Sequence, residues 1–401
     1  MHSINPPPKY LIFVLGFVLI MGEMATDMIL PSLPAITIYF NTTQNAAQIT
    51  LASYMIGFAI MQFFYGPISD RYGRKFPLII SILIFFLGSL LSVFSKNIET
   101  LIGLRFLQSL GGAAGLTISL AIIRDVYDSE KSSNMYAKIG TMIAVGPAVA
   151  PIIGGALIEY GDWKWVFYAL TTWSIIAFIF ITLFLPETNH NLNKNKFGIT
   201  FIFYNSKILM NSNEYVGYLL TLAFIFSAFF SFIFSAPFIF INYFNLSVSE
   251  FPFIITIPVI GFIIGTSSVT SLTKKISKHN AFLYGIIIAV FSGFLITFFP
   301  IIGLRSIIAI IGPMTLFAFS VGIIFPIGTS SALKPFPKNA GLASAFLGFT
   351  QTIIGVTFGM LSGVNPNLPI LNMTILMTIS VFLGGIAYYY FFIFKKVKSS
   401  I

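Results

Sequence analysis

"YLIFVLGFVLIMGEMATDMILPSLPAI", Tyr10 to Ile36, is an apolar run in which Glu23 and Asp27 are the only charges. At 1.5 Å of rise per residue, about 20 residues cross the ~30 Å hydrocarbon core of a bilayer, so the run is long enough to span one. Similar runs recur at 48–68, 76–95, 99–122, 136–158, 164–186, 213–236, 250–272, 281–299, 304–328, 340–363 and 369–394. The chain is 57% hydrophobic and 8% charged, with a mean hydropathy of +0.92. No soluble fold hides that much apolar surface. The apolar residues fill whole segments and do not alternate, which excludes an outer-membrane barrel. The expected fold is all-α, with twelve transmembrane helices.

A net charge of +10 would suggest nucleic acid in a soluble protein. Here position decides. With the N-terminus inside, Lys96, Lys164 and Arg305 fall outside, Arg105 falls within a span, and the other basic residues face the cytoplasm. The bias of roughly six to one places both termini in the cytoplasm and the chain in the cell's inner (plasma) membrane. The basic charge then reports topology and anionic lipid, not DNA. There are no cysteines, which excludes disulfides, thiol catalysis and cysteine metal sites. Neither an ATP-holding G-x-x-x-x-G-K-[ST] loop nor an H-E-x-x-H zinc motif occurs, and His2, His190 and His279 lie in polar segments. Neither an enzyme nor a bound metal or cofactor is expected. The first span lacks a small-x-small cleavage site and is read as a retained helix.

The longest polar interval, Pro186 to Tyr215, separates six spans from six. It divides the chain into an N-terminal half over 1–187, a linker over 188–212 and a C-terminal half over 213–401. Within it "FGITFIFYNSKILM", 197–210, reads either as an amphipathic surface helix or as an irregular loop. The tetrapeptide "IGLR" at 102–105 and again at 302–305 precedes or opens the fourth and tenth spans, a modest sign of duplication.

Four motifs in the first half carry a resemblance. "GPISDRYGRK", 66–75, matches Gly66, Asp70, Arg71, Gly73, Arg74 and Lys75 of the loop signature of the major facilitator superfamily. Its glycines suit a tight reversal and close helix approach, and its charges suit contacts that form in one conformation and break in another. A purely topogenic basic loop is the simpler reading. "LRFLQSLGGAAG", 104–115, followed by "RDVY", resembles that family's R-x-x-Q-G segment, with Ser109 in place of the glycine. "VGPAVAPIIGG", 145–155, resembles its antiporter signature through Gly146, Pro147, Pro151, Gly154 and Gly155, although helix packing alone would also explain these residues. "ATDMILPSLP", 25–34, resembles the start of the bicyclomycin-resistance (Bcr/CflA) group of drug/proton antiporters, with Ile29 in place of the usual tyrosine. The second half agrees only in hydropathy, since "SLTKKISKHN", 271–280, lacks the acid and glycine of the first-half loop.

Depth brings two of these motifs together. Asp27 lies roughly 25 Å into the first span and Arg105 about 8 Å down the fourth from the other side, so the two fall at similar depth in a ~30 Å core. Glu23 lies one turn from Asp27 on the same face. A carboxylate in a low-dielectric cavity tends to hold a proton and a nearby arginine opposes this, so a pairing that changes with conformation would couple proton binding to transport. A structural acid–arginine pair, or an arginine that snorkels to the surface, are the alternatives.

Asp27, Glu23 and Arg105 are thus expected to couple protons, with the 66–75 loop as a conformational latch. Gln62, Gln108, Asn242 and Gln351 are candidate cavity residues, each equally readable as an interhelical hydrogen bond. The resemblance implies an efflux antiporter for small lipophilic or amphipathic compounds, driven by protons, needing no cofactor and working as a monomer. A proton-coupled importer on the same fold and a non-transporting membrane receptor remain as alternatives.

Overall fold

The computed structural model describes residues 10–127, 129–189, 192, 206–337 and 340–394. Among these it forms twelve helices long and apolar enough to cross a membrane. They are α1 (Leu11–Tyr39), α2 (Gln44–Tyr72), α3 (Lys75–Ser92), α4 (Ile98–Val126), α5 (Lys138–Tyr160), α6 (Lys164–Phe184), α7 (Asn213–Tyr243), α8 (Phe251–Lys275), α9 (Lys278–Ile301), α10 (Ile307–Leu333), α11 (Ala340–Leu361) and α12 (Pro369–Phe394). The helix that contains α5 starts earlier, at Ser129.

Capping explains why several helices start before their apolar runs. Thr43 Oγ1 accepts from Ala46 N, Asn97 Oδ1 from Thr100 N and Ser277 Oγ from Asn280 N, each satisfying one of the free amides at a helix start. α2 therefore begins four residues before its apolar stretch. Residues 206–210 are helical, whereas the rest of the segment read as a surface helix, and most of the 188–212 linker, lies outside the described residues.

Contacts divide the chain into two units, Met1–Phe201 and Ile202–Ile401. In the first, α4 packs against α1, α2 and α3, α1 also packs against α5 and α6, and α3 against α6. In the second the same pairs recur with six added to each label: α10 packs against α7, α8 and α9, α7 against α11 and α12, and α9 against α12. The duplication therefore lies in the packing. The "IGLR" repeat does not mark it, because 102–105 lies inside α4 while 302–305 forms the loop before α10, with Gly303 at φ +90°. Arg105 is fully buried and Arg305 is exposed.

In the first unit α1 lies unusually close to α4. A Cβ on Gly115 would stand 2.5 Å from the Val18 carbonyl oxygen and 3.1 Å from the Leu19 Cα. Backbone cannot yield there as a flexible side chain would. Gly115→Leu is therefore expected to destabilise the protein by at least the ~1–3 kcal/mol typical of overpacking. Gly103→Leu, on the same helix where a Cβ meets nothing within 4 Å, should leave stability unchanged. Thermal unfolding of the two variants in detergent compares them directly.

Candidate functional site

The site begins with a break in α1. Its α-helical bonds run to Met28 N→Met24 O at 2.9 Å, and the next bond is the tighter Ser32 N→Ile29 O of a 3₁₀ turn over Leu30–Ser32. Pro31 has no N–H to offer the Asp27 carbonyl four residues back. The carbonyls just before the break are left without intrahelical donors, and one of them is taken from outside. Arg105 Nη2 on α4 donates to Ala25 O at 3.1 Å, while its Nη1 donates to Gln108 Oε1 at 2.5 Å. Gln108 Nε2 in turn donates to Ser89 Oγ on α3 at 2.7 Å.

The Arg105 guanidinium is sandwiched as well as bonded. It lies 4.3 Å from the centroid of the Tyr54 ring and 5.8 Å from that of Phe167. Such a face attracts a desolvated cation by a few kcal/mol at most. Tyr54 OH donates to Gly22 O at 2.6 Å, and Trp173 Nε1 to Phe17 O at 3.1 Å. Three side chains from three helices thus hold the backbone of α1 by its carbonyls.

Glu23 and Asp27 stand apart from this clamp. Both are half-buried, and neither makes a hydrogen bond or ion pair with any described residue. The expected Asp27–Arg105 pair does not form. Ala25 is 0% exposed, Asp27 leaves the helix about 200° further round, and Arg105 bonds the Ala25 backbone carbonyl instead of the carboxylate. Glu23 and Asp27 interact electrostatically with each other, and the Tyr54 hydroxyl lies in the field of both. Tyr54 was not anticipated from sequence, because a tyrosine in an apolar span carries no motif.

Of the candidate cavity residues, Gln108 lines no cavity in this structure. It is 0% exposed and both ends of its amide are taken by Arg105 and Ser89, so it is part of the scaffold. Gln62 on α2 is half-buried. Asn242 is exposed in the π-helical end of α7, Phe238–Tyr243. Gln351 on α11 is buried, and its Nε2 has no partner among the described residues.

The antiporter-like motif on α5 meets the α1 break. Gly154 leaves room for the Met28 carbonyl, whose carbon would stand 2.9 Å from any Cβ at that position. Gly146, Pro151 and Gly155 are buried and Pro147 is exposed. Gly146 has nothing within 4 Å of a Cβ, so close packing does not account for it.

The loop between α2 and α3 is organised by Arg74, which is 3% exposed. It donates to Asp70 Oδ1 at 2.6 Å, Ser69 Oγ at 2.7 Å and Asp125 Oδ2 at 2.7 Å. Burial opposes its charge, but the bonds to Asp125 and Asp70 outweigh that and hold its pKa above the ordinary arginine value. Gly73 takes φ +86°, and Glu187 fills the space where its side chain would be. The Glu187 carboxylate accepts from the backbone N–H of Arg74, Lys75, Thr188 and Asn189 at 2.8, 3.0, 2.9 and 2.8 Å, capping the start of α3. Arg71 is exposed beside the Tyr72 ring, and Lys75 Nζ donates to Thr182 O at 2.8 Å. Gly66 makes no close approach, contrary to expectation. Asp125 lies in "RDVY" and Glu187 in the "PET" at 186–188, and neither segment signals its distant partner in the sequence.

Arg74→Lys keeps the charge but cannot serve three acceptors in one plane. It is expected to cost roughly 1.5–3 kcal/mol of stability, the range for hydrogen bonds to charged groups. Arg71→Lys should cost less than about 0.5 kcal/mol, as exposed substitutions do. Unfolding midpoints in detergent test the difference.

The comparison with known proteins agrees with this architecture. The family model described as Major Facilitator Superfamily matches residues 12–360. The chain is 26% identical to a bicyclomycin resistance protein homolog of Haemophilus influenzae, covering 87% of this chain and 88% of that one. It is 25% identical to multidrug resistance protein D of Escherichia coli strain K12, covering 92% of each. The fold is shared with a crystal structure of a D-xylose–proton symporter at a TM-score of 0.76 and 16% identity, over 96% of this chain and 97% of that one. By its twelve apolar helices and the match along most of its length, the chain is a multi-pass membrane transporter that belongs to the Major Facilitator Superfamily.

Proposed function

We propose that the protein is a proton-coupled antiporter of the inner membrane that exports small lipophilic or amphipathic compounds, with both termini in the cytoplasm. The observation that carries this reading is the pair of half-buried, unpaired carboxylates one turn apart on α1. An ionisable group inside a span is costly and marks a functional pathway unless it is paired structurally. A fixed arginine countercharge would tie down a carboxylate, and here the Arg105 Nη1 and Nη2 atoms donate to an amide and a carbonyl. Asp27 and Glu23 are left free to exchange protons with the solution and to meet a substrate.

Relatives named for bicyclomycin and multidrug resistance support export of foreign compounds. The α5 motif lies against the α1 break next to Asp27, where a change in α5 would be felt by the carboxylate. One proton crossing ~100 mV contributes about 2.3 kcal/mol, enough for a roughly fifty-fold gradient of a neutral solute. No cofactor is needed for that exchange, and one chain contains all the groups it uses.

In everted vesicles energised by a pH gradient, Asp27→Asn is expected to insert and fold as the parent does while losing substrate-driven proton release. Glu23→Gln is expected to retain part of it. Undiminished antiport by Asp27→Asn would overturn the assignment, and proton uptake alongside substrate would point instead to import.

A further inference from the structure

A groove on the second unit lies outside the proposed exchange. It runs between the C-terminal part of α9 and the first half of α10, encloses about 460 Å³, and is lined by apolar side chains such as Leu295, Phe299 and Leu316. Its wall is open at Gly312, where a Cβ would meet nothing within 4 Å, so a larger side chain there has room to extend into the groove. Along α10 it extends from Ser306 to Leu316. That distance is about 15 Å at helical rise, half of the ~30 Å hydrocarbon core and so the depth of one leaflet.

Arg305 stands at the mouth, between the lining residues Leu304 and Ser306. It is exposed, and its guanidinium makes no hydrogen bond or ion pair with any described residue. The backbone around it is fixed, since Leu304 N donates to Phe299 O at 2.9 Å and Ser306 Oγ caps α10 through Ala309 N at 3.2 Å. The second unit's acidic residues give it no partner. Glu214 is in the first turn of α7, at the other end, and the Glu250 carboxylate is bonded to Ser247 N and Oγ at 2.9 Å each. Ile301, Ile302 and Ile308 are exposed around the mouth, which sets it at the apolar edge of the bilayer.

We infer that the α9–α10 groove holds one acyl chain of a phospholipid whose anionic headgroup is bound by Arg305. The length of the groove fits one chain in one leaflet, and the unpaired cation at its mouth fits a phosphate. The full-length protein in detergent, titrated with phosphatidylglycerol or with phosphatidylcholine of identical chains and read by native mass spectrometry, tests this. The parent should hold phosphatidylglycerol about fivefold more tightly than phosphatidylcholine, the effect of one basic residue near an anionic lipid. Arg305→Gln should remove the preference and Arg305→Lys should keep most of it. Gly312→Leu, which fills the groove, should weaken both lipids; if it does not fold, Gly312→Ser replaces it and should weaken both to a lesser degree. Equal binding of the two lipids by the parent, a preference that survives Arg305→Gln, or lipid binding unchanged by filling the groove would each overturn the proposal. Loss of a dimer on filling the groove, with lipid binding unchanged, would assign it to a second copy instead.

Discussion

The bond from Arg105 to the Ala25 carbonyl is the constraint around which the first unit is arranged. A proline that cannot donate opens α1 after Asp27, and a buried carbonyl left without a donor costs ~1–3 kcal/mol. An arginine within a span is costly for the converse reason, since five donors need acceptors. Each defect satisfies the other. Nη1 donates to Gln108 Oε1 and the flat face lies over the Tyr54 ring, while Nε has no partner among the described residues. A broken helix is thereby held in place without any carboxylate being used, and Glu23 and Asp27 keep their chemistry.

A second arginine organises the opposite end of the same helices by a different choice of acceptors. Arg74 takes two carboxylates, from Asp70 and Asp125, and the loop behind it is closed by Glu187 on four backbone amides. Charge meets charge there, outside the spans, where ionised partners cost less than they would in hydrocarbon. Inside the span the acceptors are neutral. Asp125 belongs to α4, the helix that also carries Arg105, so the clamp on α1 and the α2–α3 loop share one rigid element. Movement of α4 relative to α1 would be transmitted to both.

Hydropathy alone yields the twelve spans, because the apolar runs are long and the polar breaks between them are short. The charged motif of the α2–α3 loop is also legible, since its charges and glycines stand out against an apolar background. Partner choice was not legible. Depth along two helices brings Asp27 and Arg105 to the same level, but rotation about α1 separates them, and rotation depends on how Gly115 and Gly112 let α4 approach. Tyr54, Asp125 and Glu187 act through contacts distant in sequence, and a short repeat such as "IGLR" is silent about position within a helix. Gln108 shows the general difficulty: a polar side chain in a span reads the same whether it lines a cavity or serves a buried arginine.

Arg105 supports the backbone of α1 and is not the countercharge of Asp27. A double-mutant cycle on unfolding free energy, with Asp27→Asn, Arg105→Gln and the pair together, tests it most directly. The two substitutions should add to within about 0.5 kcal/mol, as unconnected sites do. The parallel cycle of Gln108→Leu with Arg105→Gln should show a coupling above about 1 kcal/mol. A coupling of several kcal/mol between Asp27 and Arg105, the size found for directly paired buried charges, would contradict it.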